Sequence, residues 1–235
     1  MISNSKLQIL FEDAHIIVCK KPAGIATQSK STRGLDMESL IKRHIYQTSK
    51  IKQEPYLAVI HRLDQPVSGV LVFAKTPAAA KSLNQQLTSH GFGKHYIALL
   101  TKTPPPEYEG KPLINYLKKN NQTNSSHVSE KNDPLSKKAI LQYTILSNPT
   151  SMEWSLFTHC EIPEAETVVP VAITLDTGRH HQIRVQMAHL GCPIWGDSKY
   201  GSTAESWTNI ALCAYRLAFH HPATKKRLEF YAYDC

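Results

Sequence analysis

The chain has 235 residues, of which 41% are hydrophobic, 20% charged and 8% aromatic, a balance that excludes disordered and collagen-like classes and suffices for one large domain or two small ones. A net charge of +8 favours a polyanionic partner, either nucleic acid or an anionic membrane surface. No apolar run approaches the roughly 18 residues of a membrane span and the start MISNSKLQ is too polar for a signal peptide, so a cytoplasmic protein is expected.

In chain order, LQILF (7–11) and HIIVC (15–19) read as two strands of a hairpin, closed off by the Pro and Gly of KKPAG. LAVI (57–60) and the run 69–74 read as strands on either side of a turn. From Thr76 a helix is expected: Pro77 suits its first position, Ala80, Leu83 and Leu87 share a face, and Gly91 can end it. KHYIALL (94–100) is a further strand. Residues 103–138 open with three prolines and turn rich in Asn, Ser and Lys, which predicts a mobile excursion from the domain. Its six lysines, all between Lys111 and Lys138 beside Glu130 and Asp133, suit either a nucleic-acid backbone or a solvated loop.

Strand-like sequence then resumes with AILQYTIL, WSLFTHCEI and TVVPVAITL. Gln182 to Leu190 predicts a helix with Ile183, Met187 and Leu190 on one buried face, capped by Gly191 with Pro193 beyond. ALCAYRLAF and RLEFYAY are the last two strands. Strand-rich, non-repeating and without βαβ alternation, the pattern predicts an α+β fold with a mainly antiparallel sheet, flanking helices and a single domain over 1–235.

Five cysteines, Cys19, Cys160, Cys192, Cys213 and Cys235, are scattered and never spaced as CxxC, so reduced thiols are expected. The histidine pairs His180-His181 and His220-His221 are adjacent rather than one helical turn apart, which argues against a metal site. No phosphate-binding loop, dinucleotide fingerprint or nucleophile elbow occurs.

What stands out is HRLDQPVSGVLVFAKT (61–76), because Asp64 is the only Asp or Glu between Pro55 and Pro106, among Arg62, Lys75, Lys81, Lys94 and Lys102. Glycosidase chemistry ordinarily needs two carboxylates, and the one other candidate in the motifs, Asp197, is distant in sequence. A carboxylate acting alone, as nucleophile or base, must stay ionised, and a guanidinium from Arg62 or Arg184 would favour that form.

HRLDQPVSGVLVFAKT, GKHYIALL and TGRHHQIRVQMAHLGCPIWGDSKYG, in that order, resemble the RluA family of RNA pseudouridine synthases, and LFEDAHIIVCKKPAGI is similar to that family's first motif. The resemblance covers about 7–233. It implies a pseudouridine synthase fold with a central RNA-binding cleft, and isomerisation of uridine in ribosomal or transfer RNA with no cofactor and no metal. It also implies a role for each site residue: Asp64 as the catalytic aspartate, Tyr96 packing against the target uracil, Arg184 pairing with the aspartate, and Arg62 helping to hold the base out of its stack. A flipped base is what such chemistry needs, since a uracil that must detach and turn cannot react inside a helix.

Two positions depart from the motif: His180 stands where Thr is usual, and Gln186 where His is usual. No S4-type RNA-binding domain is expected before the first motif, and a monomer is favoured. Two competing readings are a non-catalytic RNA-binding protein on the same fold and a nucleoside or glycoside hydrolase, which would release free base or sugar.

Overall fold

In the computed structural model the described residues are 7–29, 35–50, 53–89, 91–160, 162, 167–201 and 210–233. They form two compact units, Met1–Gly93 with Arg216–Ala232, and Lys94–Tyr215 with Tyr233–Cys235.

The first unit is built on β1 (Gln8–Glu12), β2 (Ile16–Lys21), β3 (Ala58–Val59) and β4 (Ser68–Ala74), with β2 antiparallel to both β1 and β4, and β3 pairing along β4. Residues 16–19 and 70–74 are buried without alternation, as unbroken apolar strands covered on both faces should be. The β1–β2 turn is closed by Asp13, whose Oδ1 accepts from the backbone N–H groups of His15 and Ile16. Its other oxygen meets Nε2 of His221, 2.8 Å away.

Helix α2 (Pro77–Thr88) begins as expected, with Thr76 accepting from Ala79 N and Pro77 in the first turn, and it buries Ala79, Ala80 and Leu83. Helix α1 (Met37–Thr48) has no counterpart among the elements expected from the sequence. Its signal was nevertheless present, in Asp36 as N-cap and in Met37 and Ile41 one turn apart on the buried face. The long strand β10 (Leu212–His220) pairs with β11 (Arg227–Tyr231) through its last five residues.

The second unit holds an antiparallel ladder in the order β5 (Gly93–Leu100), β9 (Val169–Leu175), β8 (Lys137–Ile145), β6 (Leu113–Asn120), β7 (Ser125–Ser129). Alternation is clear here. Ala139, Leu141 and Tyr143 of β8 and Val171, Ile173 and Leu175 of β9 are buried, while their neighbours are half-buried or exposed. Within the predicted excursion 103–138, then, residues 113–129 form a hairpin of the sheet. Leu117 supplies the reason, since it packs with Ala139 and Val185 and is flanked by Val128 and Tyr200.

WSLFTHCEI, expected to be a strand, instead opens inside α3 (Ser151–Ser155) and continues as turns. A capping box decides it: Thr150 accepts from Glu153 N, and the Glu153 carboxylate accepts from Thr150 N. Helix α4 (Gln182–His189) ends as expected, with Gly191 at φ 78°.

The predominantly antiparallel α+β architecture is thus as the sequence predicts. No described helix is long and apolar enough to cross a membrane. Cys19, Cys160, Cys192 and Cys213 are buried and in no disulfide; Cys235 lies outside the described residues.

Candidate active site

Asp64 lies in the first unit, half-buried, on the irregular segment between β3 and β4. That segment is fastened on both sides of the carboxylate. Thr27 Oγ1 donates to Leu63 O (2.9 Å) and accepts from Leu63 N (3.1 Å). On the other side, Gln65 O accepts from Gly24 N (2.9 Å), and the Gln65 amide donates to Gly24 O (3.0 Å). Gly24 sits at φ +87°, where a side chain would be strained.

The third fastening is Lys21. It is fully buried, and its ammonium donates to the carbonyls of Pro22 (3.0 Å), Ile25 (2.6 Å) and Gln65 (2.9 Å). Burial pulls Lys21 down to about 7, and the negative charge of Asp64 opposes that fall. Three carbonyl acceptors match the three N–H bonds of an ammonium, so the charged form is the one whose hydrogen bonds are complete. Lys21 is thus a cation coupled to Asp64 within this unit, a residue that its sequence context does not single out. Arg62 is exposed and makes no hydrogen bond among the described residues.

Tyr96 and Arg184 belong to the second unit. Tyr96 is buried on β5 opposite Ile173. Helix α4, expected to have one apolar face, is buried nearly all round, including Arg184 at 6% exposure. Arg184 makes a fork-like pair with Asp197: Nε donates to Oδ2 (2.8 Å) and Nη2 to Oδ1 (2.7 Å). Its guanidinium also stands 5.1 Å from the ring centre of Tyr200. Asp197, weighed in the sequence only as a second acid, is thus the buried counter-charge of Arg184.

The approach to α4 explains the altered motif. His181 is left-handed (φ 55°) and offers no side-chain cap. Gln182 ties down the segment before the helix, its carbonyl oxygen accepting from Thr177 Oγ1 (2.7 Å) and Arg179 N (3.0 Å). His180 stacks on His181 with ring centres 3.7 Å apart and reaches Ser126 Oγ at 2.9 Å, so the unusual residue ties the motif to the β6–β7 hairpin. Gln186 donates to Leu113 O and Asn115 Oδ1, on the same hairpin's first strand.

Tyr200 OH accepts from Ser126 N (2.9 Å) and lies 2.6 Å from His181 Nδ1, an arrangement completed when the hydroxyl donates to a neutral imidazole. Burial, then the charges of Arg184 and other cations, push His181 down to about 3. The unfolded chain takes up this proton near the ordinary value of 6.5 and the folded chain only near 3, so stability is lost as pH falls through that window. His181→Asn, which tolerates the left-handed backbone, is expected to lose less melting temperature than the unsubstituted chain between about pH 7 and pH 4. Parallel melting curves for the two proteins would remove His181 from the account.

No group of three or more His, Cys, Asp or Glu able to hold a metal ion occurs among the described residues. Residues 15–189 match the family model described as RNA pseudouridylate synthase. The uncharacterized RNA pseudouridine synthase YhcT of Bacillus subtilis (strain 168) is 31% identical over 230 residues, covering 93% of this chain and 66% of its own. Ribosomal large subunit pseudouridine synthase C of Buchnera aphidicola subsp. Baizongia pistaciae is also 31% identical over 230 residues, covering 94% and 64%. The chain therefore spans just under two thirds of the length of these relatives. Human RNA Pseudouridylate Synthase Domain Containing 4 superposes with a TM-score of 0.72 at 21% identity, over 96% of this chain and 87% of that one, a likeness of fold.

Proposed function

The chain belongs to the RNA pseudouridylate synthase family, and from that membership we propose that it is an isomerase converting specific uridines of structured RNA, ribosomal or transfer, to pseudouridine. In this reading the chain is one catalytic domain, with Asp64 as nucleophile, Tyr96 against the target uracil, and Arg184 and Arg62 as substrate-binding cations. In this reaction the bond from N1 to the sugar breaks, the uracil turns, C5 joins the sugar, and the proton lost from C5 is matched by one gained at N1. RNA length and mass stay constant.

The observation that carries the reading is the restraint on Asp64. A lone carboxylate in a cationic stretch is fixed from both neighbours, and Lys21 beside it opposes the cost of keeping it ionised. Flipping a uridine costs a few kcal/mol, least in loops, and an aromatic face recovers about 1–3 kcal/mol. Tyr96 fits that role, and a cytoplasmic enzyme that works as a monomer needs nothing further for the chemistry. Mapping pseudouridines in total RNA from a strain lacking the protein, against its parent, tests the reading and names the target. One or a few missing sites are expected; identical maps would contradict it.

The lysines of the β6–β8 region support phosphate affinity. From Lys111 to Lys138 the chain holds six lysines against Glu130 and Asp133, and only Lys118 is ion-paired among the described residues, to Asp133 at 2.8 Å. Lys119, Lys137 and Lys138 are exposed on the ladder. Replacing all three by Ala is expected to weaken RNA binding about tenfold or more at moderate salt and to flatten the dependence of affinity on salt by about 0.7–0.9 for each phosphate no longer neutralised. Unchanged titrations would return these lysines to the role of a solvated surface.

A further inference from the structure

Strand β5 carries a second polar side chain on the face that bears Tyr96. Lys94 precedes Tyr96 by two residues, so the two side chains leave the strand on one side, with Cα atoms about 7 Å apart. Their partners on β9, Leu175 and Ile173, are both buried. Lys94 is only 8% exposed, yet its ammonium makes no hydrogen bond among the described residues. The contrast with Lys21 is direct. Both are buried lysines, but one has three carbonyl acceptors and the other has none; the Lys94 ammonium is not sealed from water, so it stays open to an incoming acceptor.

The surroundings narrow what could complete it. Burial holds Lys94 below its ordinary value, the exposed Asp176 draws it back up, and Arg179 pushes it further down. Lys94, Arg179 and Asp176 together leave one positive charge unmatched. Gly178 lies over the ammonium, and a Cβ there would stand 3.4 Å from Nζ. A larger side chain at 178 would occupy the approach that glycine leaves open.

We propose that Lys94 is a phosphate-binding residue, its ammonium taking a non-bridging oxygen of the phosphodiester beside the nucleotide whose base lies against Tyr96. This rests on the RNA reading given above. A phosphodiester carries the single negative charge that balances the cluster, whereas a uracil carbonyl is neutral and leaves the surplus in place. The separation of Lys94 from Tyr96 is of the order of the distance from base to phosphate within one nucleotide.

The test measures binding of a uridine-containing stem-loop RNA across a salt series with Asp64→Asn protein, and steady-state turnover with Asp64 intact. Lys94→Met is expected to weaken binding about tenfold and to reduce the salt slope by about 0.7–0.9. It should raise KM with little change in kcat, and the melting temperature should hold or rise because a buried cation has gone. Lys94→Arg is expected to restore the salt slope. Gly178→Val, which leaves the lysine in place, is expected to weaken binding in the same direction. Unchanged affinity and slope in Lys94→Met would overturn the proposal, as would a loss of affinity that follows a fall in melting temperature with no change of slope. If the protein with Asp64 and Lys94 intact neither binds this RNA nor makes pseudouridine in any RNA offered, the functional reading fails and takes Lys94 with it. If it does both and Lys94→Met is indifferent, Lys94 alone is wrong.

Discussion

Asp64→Asn is expected to abolish pseudouridine formation, lowering turnover by about a thousandfold or more while RNA binding changes little, as follows when a nucleophile is lost and the binding surface is kept. The substitution preserves shape and removes only the charge and the attacking oxygen. The backbone bonds at Leu63 and Gln65 do not involve the carboxylate, so the segment should keep its course and the protein its fold. Lys21 then loses the negative charge that opposes its burial, and its pKa is expected to fall further. Single-turnover assays beside RNA titrations separate the two effects. Full activity in Asp64→Asn would end the mechanism.

The second large effect lies at Arg184. Its pair with Asp197 is almost wholly removed from water, so Arg184→Met strands a buried carboxylate and is expected to cost about 3–5 kcal/mol of stability. Turnover should fall as well. Adding Asp197→Asn to Arg184→Met removes the stranded charge and is expected to recover most of the stability, seen as a return of the denaturant midpoint. If turnover stays low in that double variant, Arg184 contributes to the reaction itself. If turnover returns with the midpoint, the ion pair is only a brace for the turn after α4.

How far the sequence could reveal this depended on the range of each interaction. α2 and α4 were legible because their start and stop signals, Thr76 with Pro77 and Gly191 with Pro193, lie at the ends of the elements they bound. α1 carries an equally local signal in Asp36, its N-cap. WSLFTHCEI looked like a strand from its apolar residues, but the deciding bond joins Thr150 and Glu153, just upstream of that run. The β6–β7 hairpin looked like loop because its composition is polar. The order there comes from Leu117 packing on Val185 and from Ser126 bonding Tyr200, partners far along the chain.

The site divides in the same way. Asp64 could be proposed because its isolation among cations is a property of neighbouring positions. Lys21 could not, since its meaning lies in a bond to Gln65, 44 residues away, and KKPAG read simply as the end of a strand. Asp197 and Arg184 are 13 positions apart with a helix end and a turn between them, and only the folded chain makes them a pair.

The most direct test is to incubate the purified chain, without added cofactor, with uridine-containing ribosomal and transfer RNA transcripts and to analyse the products at nucleoside level. Pseudouridine is expected at one or a few positions, with RNA mass and length unchanged and no product from Asp64→Asn. Release of free uracil, or tight RNA binding with no conversion in any transcript, would contradict the isomerase reading.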